Sequence, residues 1–330
     1  MQSHNRVEVP DAAADRPPPD FVIAGAPKSG TSALYEWLRE HPDVFLPALK
    51  EPHFFSQDLP GLKRVATRNA YDSLYRGAPD GALRGDASTS YLRSELAVPR
   101  LLDDNPRARI VVILRDPAEA AHAFHSELLY QLAEEEADFE KAWKLQKARK
   151  QGRCSIPAPC RRDPGQLQYK DVFSYGTQLE RLFVHAPAGQ RLVLLFDDLQ
   201  TDPAAAYRRA LSFLGLGDDR RADYSQVNPS KVLRSRRAAM WHRSAYRRAR
   251  ALPFYTPAKR LANVFGIHPN HLLSRWNRKP AHRSGLDQRF RRELRREFAA
   301  EIARTELLLG RSLACWSAPD ADPVASGDPG

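Results

Sequence analysis

Short apolar runs alternate along the chain with segments in which apolar residues recur at helical spacing. The three clearest runs occupy residues 21–24, 109–114 and 191–196, and they are rich in branched side chains. Runs of this length, bounded by turn residues, are typical of strands buried in a parallel sheet. Their alternation with helices predicts an α/β fold of three layers, with a central parallel β-sheet flanked by helices.

The last helical segment repeats apolar side chains every four residues, at Phe290, Leu294, Phe298 and Ile302, and ends at Gly310. This spacing places the apolar side chains on one face of a long helix. Residues 1–19 are polar and rich in proline, and together with residues 317–330 they predict disordered tails. One domain is therefore expected over residues 20–316.

A glycine-containing turn joins the first apolar run to the first helix. It contains Lys28, Ser29 and Gly30, and Thr31 and Ser32 open the helix. Backbone N–H groups at a helix N-terminus point toward a bound anion, and the helix dipole favours negative charge there. Lys28 adds a mobile cation and the hydroxyl groups add donors, so the turn is predicted to bind a phosphate group.

The spacing of this turn is close to that of a Walker A loop, with one difference. A Walker A lysine follows the second glycine, whereas Lys28 lies two residues before Gly30. The turn is therefore P-loop-like but is not predicted to be an ATPase loop. An ordinary strand-to-helix turn that happens to contain glycine and lysine is the alternative interpretation.

Arg115 directly follows the strongest strand signal, residues 109–114. Asp116, Pro117 and Glu119 then fit the cap and first turn of a new helix. A guanidinium at the carboxyl end of a buried strand is well placed to bind a phosphate through two hydrogen bonds. The alternative is a salt bridge that closes the strand end.

Composition narrows the class of protein. The 330 residues carry a formal net charge of +11, so the surface is expected to attract anions such as nucleotides, sulfated sugars, lipids or nucleic acid. No apolar run approaches the ~20 residues that a membrane span needs, and the N-terminus does not read as a signal peptide. Three cysteines do not make a disulfide framework, and a cytoplasmic protein is expected.

Three further segments have a distinctive composition. Residues 134–150 are acidic and then basic, which predicts an exposed helix. Residues 151–168 have no periodicity and predict a long loop that serves as a lid or a substrate wall. Residues 234–250 carry seven arginines around Trp241 and Tyr246, which indicates either a basic face for an anionic partner or a solvated amphipathic helix. No nucleic-acid motif accompanies them.

The first loop and several later motifs together resemble the sulfotransferases that use 3′-phosphoadenosine 5′-phosphosulfate (PAPS). The chain is similar to the branch that heparan-sulfate sulfotransferases share with many bacterial enzymes. The later motifs are KEPHFF at residues 50–55, GDASTSY at 85–91, and the segments 110–117 and 197–215. The resemblance covers most of residues 21–316.

The resemblance implies PAPS as the co-substrate and a role for each loop residue. Lys28 would stabilise the leaving phosphate, and Ser29, Gly30, Thr31 and Ser32 would cradle the 5′-phosphosulfate. A sulfuryl group carries less charge than a phosphoryl group, so a lysine and backbone amides can suffice and no metal is expected.

The resemblance also implies a general base and a second phosphate contact. Glu51 matches the catalytic glutamate of the family, and the alternative is a surface glutamate beside Lys50. His53 is a second catalytic candidate, as a base or as a contact of the acceptor, and His41 and Asp86 are weaker ones. Arg115 matches the arginine that binds the 3′-phosphate.

Two positions depart from the family pattern. The family serine that binds the 3′-phosphate lies eight residues after the arginine, where this chain has Ala123. Ser126 lies three residues further along the predicted helix and faces nearly the same side, so Ser126 or His122 is expected to take part of that contact. Ala87 stands where the family has a lysine.

The expected reaction moves a sulfuryl group from PAPS to a hydroxyl or amine of a carbohydrate, a lipid-linked glycan or a small molecule. Two other classes of function stay open, and the sequence indicates no oligomeric state. A P-loop kinase would need a lysine after the second glycine and a strand-ending carboxylate that organises Mg²⁺. A basic module that binds RNA or another polyanion would use the arginine segment and would show a steep dependence on salt.

Overall fold

The computed structural model describes residues 18–224 and 285–317, together with the backbone of residues 231–233 and 278–280. Most of each predicted tail and the arginine segment 234–250 lie outside the described residues.

The central sheet consists of β1 (Phe21–Gly25), β2 (Val44–Phe45), β3 (Leu83–Ala87), β4 (Arg109–Leu114) and β5 (Arg191–Leu195). Their order across the sheet is β2-β3-β1-β4-β5, and every neighbouring pair is parallel. A separate antiparallel pair is formed by β6 (Lys231–Leu233) and β7 (Arg278–Pro280). The parallel sheet and its flanking helices confirm the predicted α/β fold class.

The helices of the described residues are α1 (Thr31–Arg39), α2 (Arg68–Asp72), α3 (Ala97–Asp104), α4 (Pro117–Tyr130), α5 (Phe139–Lys144), α6 (Gln146–Lys150), α7 (Tyr169–Val172), α8 (Tyr175–His185), α9 (Phe196–Thr201), α10 (Pro203–Leu214), α11 (Gln288–Leu309) and α12 (Ala314–Ser317). Short 3-10 turns cover Ser73–Tyr75, Ala158–Cys160, Pro164–Leu167 and Ala188–Gln190. Gly310 ends α11 in the left-handed conformation, as the sequence predicts.

Alternate residues of the central strands pack against different helical layers. In β4, Val111 and Ile113 belong to the core that contains α1 and α10. Ile110 and Val112 belong to the core that contains α4, α8 and α11. Because successive strand side chains point to opposite faces, a strand that is apolar throughout needs a helical layer on each side.

Residues 134–150 do not form the exposed helix that their charges predict. The short helices α5 and α6 stand there instead, and the side chains of Glu134 and Arg149 are 0% and 4% exposed. The Arg149 guanidinium donates to the two carboxylate oxygens of Glu134 at 2.6 and 2.7 Å, and the Tyr169 hydroxyl donates at 2.7 Å. The prediction was wrong because a run of charges does not reveal whether a charged side chain has a buried partner.

Helix α11 packs closely against α8. A Cβ atom at Gly176 of α8 would lie 2.7 Å from the Cβ atom of Arg304 and 2.9 Å from the carbonyl oxygen of Glu301. Only glycine therefore lets the two helices approach to this distance. Helix α11 also contacts α5, where the ring of Phe298 lies 5.6 Å from that of Trp143.

Two arginines of α11 reach the first turn of α4. Asp116 caps α4 by accepting from the N–H groups of Ala118 and Glu119, and its carboxylate lies 3.1 Å from Arg295. Glu119 lies 3.0 Å from Arg291. The helix start that follows Arg115 is thus fixed from the far end of the chain.

We expect Arg149→Met to lower the free energy of unfolding by about 3–5 kcal/mol, because the substitution leaves the charge of Glu134 buried without its guanidinium. Chemical denaturation measures the change. The control is Lys144→Met, which removes the cation of an exposed pair with Glu140 and should leave the free energy of unfolding nearly unchanged, because water screens exposed ion pairs. Equal effects of the two substitutions would show that the buried pair is not needed for stability.

Candidate active site

The turn after β1 is held in a conformation that suits an anion. Lys28 and Gly30 have φ angles of 61° and 90°, which lie in the left-handed region. A Cβ atom at Gly30 would also lie 2.9 Å from the Cδ2 atom of Phe196, so both the backbone and the contact require glycine. Within the described residues no side chain caps the start of α1, and its first N–H groups are available to a ligand.

Arg115 lies directly beside this turn. Its Nη1 atom donates to the carbonyl oxygen of Lys28 at 3.3 Å, and its guanidinium lies 4.7 Å from the centre of the Phe196 ring. Glu119 lies 3.8 Å away, one helical turn further on. The structure therefore brings together the two predicted phosphate contacts, which are 87 residues apart in the chain.

Lys28 has an acidic partner that the sequence analysis did not identify. Its Nζ atom lies 3.2 Å from Oε2 of Glu127 on α4, and the two side chains are 32% and 34% exposed. A helical glutamate 99 residues away gives no local signal of this contact. Phe196 was missed for the same reason.

Glu51 and His53 form a pair beside the carboxyl end of β3. The N–H group of Glu51 donates to the carbonyl oxygen of Ala87 at 3.0 Å. The Glu51 carboxylate lies 2.9 Å from Nζ of Lys50 and 3.3 Å from Nε2 of His53. The Glu51 side chain is 28% exposed whereas that of His53 is 5% exposed, so an incoming molecule meets the carboxylate first.

The surroundings of Glu51 set its acidity. Burial disfavours the carboxylate, but the hydrogen bond from His53 and the charge of Lys50 outweigh burial, and the pKa of Glu51 falls to about 2. Glu51 is therefore ionised throughout the neutral range. A carboxylate this acidic needs a change in its surroundings before it can accept a proton readily.

Buried hydroxyl groups lie behind His53. Its Nδ1 atom lies 2.7 Å from the Ser90 hydroxyl, and that hydroxyl lies 2.6 Å from the Ser56 hydroxyl. In the neutral ring, a proton on Nε2 serves Glu51 and leaves Nδ1 to accept from Ser90. The contacts fix the orientation of the imidazole ring.

Asp86 supports this arrangement from the core. It is 1% exposed and accepts hydrogen bonds from the hydroxyls of Tyr71, Ser88 and Tyr91 at 2.8, 2.8 and 2.7 Å. Burial raises its pKa, and the hydrogen bonds only partly offset that effect. The Ser88 hydroxyl in turn accepts from the backbone N–H of His53 at 3.0 Å. Asp86 thus positions the segment that carries Glu51 and His53, and does not line the cavity.

A cavity of about 1300 Å³ joins these groups. It is lined by the predicted residues Lys28, Gly30, Thr31, Ser32, Glu51, His53 and Arg115, and further by Lys63, Arg64, Thr89, Ser90, Arg93, Phe124, Glu127, Tyr130 and Phe196, among others. Pro159 and Gln166 of the predicted loop 151–168 also belong to the wall.

Three predicted side chains lie elsewhere. Ser29 is fully buried and is not part of the cavity wall, and its hydroxyl donates to the carbonyl oxygen of Pro27 at 3.4 Å. Ser126 is outside the cavity wall, and its hydroxyl donates to the carbonyl oxygen of His122 at 3.1 Å. His41 is buried, and its Nε2 atom lies 3.0 Å from the carbonyl oxygen of Gly217.

Comparison with known proteins agrees with this architecture. A family model for the sulfotransferase domain matches residues 18–245. Over 206 residues the chain is 29% identical to mouse heparan sulfate glucosamine 3-O-sulfotransferase 3A1, with 60% of this chain and 46% of that protein covered. It is 24% identical over 218 residues to human bifunctional heparan sulfate N-deacetylase/N-sulfotransferase 2, with 60% and 22% covered. The chain spans less than half the length of these curated relatives.

A solved structure shows the same fold. The crystal structure of a sulfotransferase from Alicyclobacillus acidocaldarius matches with a TM-score of 0.64 at 24% identity, covering 91% of this chain and 99% of that one.

Residues 18–224 and 285–317 contain no group of three or more His, Cys, Asp or Glu side chains that could hold a metal ion. None of the helices in this part of the chain is long and apolar enough to cross a membrane.

We expect Lys50→Met to raise the pKa of Glu51 above about 2, because a nearby cation favours the carboxylate and its loss favours the protonated form. NMR titration of the labelled glutamate carboxyl carbon measures the shift. Arg39→Met is the control, since that cation pairs with Glu36 on the surface and should leave Glu51 unchanged. If the pKa of Glu51 stays at about 2 in Lys50→Met, His53 alone is responsible for lowering it.

Proposed function

The chain belongs to the sulfotransferase family, and we propose that it transfers a sulfuryl group from PAPS to a hydroxyl or amine of an acceptor. One observation carries the proposal: the guanidinium of Arg115 contacts the carbonyl oxygen of Lys28 at 3.3 Å. A nucleotide with phosphate groups at both its 3′ and 5′ positions can therefore meet the turn after β1 and the end of β4 in one cavity.

The turn suits the 5′-phosphosulfate end. The uncapped start of α1 offers N–H donors and the positive end of the helix dipole. Thr31 and Ser32 line the cavity and add hydroxyl groups. Lys28 belongs to the same turn, and its proposed role is to stabilise the negative charge that grows on the leaving phosphate.

Arg115 suits the 3′-phosphate. Its planar guanidinium can form two parallel hydrogen bonds to one phosphate, which an ammonium group cannot. Stacking on Phe196 at 4.7 Å fixes the plane of the guanidinium. Ser126 remains a proposed second contact, and its hydroxyl would have to leave the carbonyl oxygen of His122 to reach a phosphate.

In the proposed reaction, an acceptor oxygen or nitrogen forms the new bond to sulfur while the bond from sulfur to the bridging phosphate oxygen breaks. The electron pair of that bond goes to the phosphate, beside Lys28. The acceptor proton goes to Glu51, with His53 hydrogen-bonded behind it. A bound acceptor would remove the remaining water around Glu51, and desolvation raises the pKa of a carboxylate toward the range of a useful base.

We propose the acceptor by its chemical class. The cavity wall combines cations such as Lys63 and Arg64 with hydroxyl groups and the aromatic ring of Tyr130. This mixture suits a polar acceptor such as a glycan or a hydroxylated small molecule. A transfer assay with labelled PAPS against cell extracts identifies the acceptor.

A cytoplasmic location is also proposed. All three cysteines of the chain lie among the described residues, and no disulfide joins them. Thiols in this state favour a reducing compartment.

Glu51→Gln should lower the rate of sulfuryl transfer by about 100-fold or more and leave the affinity for adenosine 3′,5′-bisphosphate (PAP) unchanged, because it removes the proton acceptor and keeps the shape. Labelled-sulfate transfer and calorimetry provide the two readouts. Glu36→Gln, on the surface of α1, is the matched control and should keep full activity. Near-normal turnover of Glu51→Gln would rule out Glu51 as the base.

Arg115→Lys should weaken PAP binding by about tenfold, because it keeps the charge and loses the bidentate geometry. Adenosine 5′-phosphosulfate lacks the 3′-phosphate and should bind both proteins equally well. An equal loss of affinity for both ligands in Arg115→Lys would place Arg115 at the 5′ end of the nucleotide. Binding of ATP that requires Mg²⁺ would favour the kinase alternative.

Ser126→Ala tests the second contact in the same assay and should weaken the binding of PAP alone.

A further inference from the structure

The contact between Lys28 and Glu127 places a carboxylate inside a site that is built for anions. Glu127 belongs to the cavity wall, and its Oε2 atom lies 3.2 Å from the only side-chain cation of the turn after β1. A fixed negative charge at this distance opposes the binding of a phosphate or sulfate group. The position of Glu127 therefore needs a reason other than anion binding.

Stability of the fold does not supply that reason. Both side chains are about one-third exposed, at 32% and 34%, and ion pairs with this exposure contribute at most about 1 kcal/mol. The second carboxylate oxygen of Glu127 accepts from the side-chain amide of Gln131, the residue that follows the end of α4, at 2.8 Å. Glu127 is thus anchored on the helix and points at the lysine.

The side chain of Lys28 is flexible, whereas its backbone is held in place. Its carbonyl oxygen is held by Arg115, and its φ angle of 61° is in a region that few residues other than glycine adopt. The flexible stem above this fixed backbone lets the ammonium group reach either Glu127 or a ligand in the cavity. One cation cannot fully neutralise both anions.

We propose that Glu127 is a positioning residue that acts through Lys28. It holds the ammonium group when no nucleotide is bound, and competes for it with the 5′ end of the nucleotide. The competition weakens nucleotide binding and speeds the release of PAP after each transfer. This inference rests on the proposed function, since it takes the competing anion to be the 5′ group of PAPS or PAP.

Glu127→Gln is the central variant. It removes the charge and keeps the shape, so PAP should bind about fivefold or more tightly, as the loss of a unit charge 3.2 Å from the cation predicts. The dissociation rate of PAP should fall by a similar factor in stopped-flow measurements. In steady-state kinetics, KM for PAPS should fall and kcat should not rise.

Three further variants separate this role from a structural or general electrostatic one. Glu140→Gln makes the same change of net charge in an exposed pair with Lys144 and should leave PAP affinity unchanged. Glu127→Asp withdraws the carboxylate by one methylene and should give an intermediate affinity. In a Lys28→Met background, Glu127→Gln should improve PAP binding much less than in the wild type, as a double-mutant cycle measures.

Each outcome decides the question. PAP binding to wild type with equal or weaker binding to Glu127→Gln, at an unchanged melting temperature, would overturn the inference and leave the proposed function intact. A full gain in the Lys28→Met background would also overturn it, because plain repulsion would then explain the effect. If PAP does not bind the wild type at all, both the inference and the proposed function fail.

Discussion

The parallel pairing of β1 with β4 is the constraint on which the rest of the site depends. The register sets Phe21 opposite Arg109 and Val22 opposite Ile110, so the carboxyl ends of the two strands meet at one edge of the sheet. The turn that is proposed to bind the 5′-phosphosulfate follows one strand, and Arg115 follows the other. Two groups that are far apart in the chain therefore reach the same cavity, and the hydrogen bond from Arg115 to Lys28 follows from this pairing.

The parts of the site that the sequence predicts are those with a local signal. A buried strand followed by a glycine turn and a helix start is visible within residues 21–32, and the cap at Asp116 is visible within a few residues. Each of these signals depends on backbone geometry and on the sequence neighbours alone. The prediction that Glu51 is the general base depended on the family resemblance, since a glutamate between Lys50 and a proline has no such signal.

The parts that could not be predicted depend on partners distant in the chain. Glu127 becomes a contact of Lys28 only because α4 folds back beside the turn after β1, and Glu134 is buried only because Arg149 and Tyr169 meet it there. Amino-acid type gives the charge of a side chain but not the groups that surround it. The acidity of Glu51 has the same origin, because it depends on the competing effects of burial, His53 and Lys50.

Helix α11 lies outside the segment that the family model matches, yet it belongs to the same folded unit. The family match ends at residue 245, yet Phe290, Leu294, Phe298 and Ile302 belong to the same core as β4 and α4. Arg295 supplies the counter-charge of the cap that follows Arg115. A fragment cut at the family boundary would expose an apolar helical surface and lose that counter-charge. A chimaera that exchanges this domain for that of a relative therefore has to include α11 together with the first turn of α4 that it contacts.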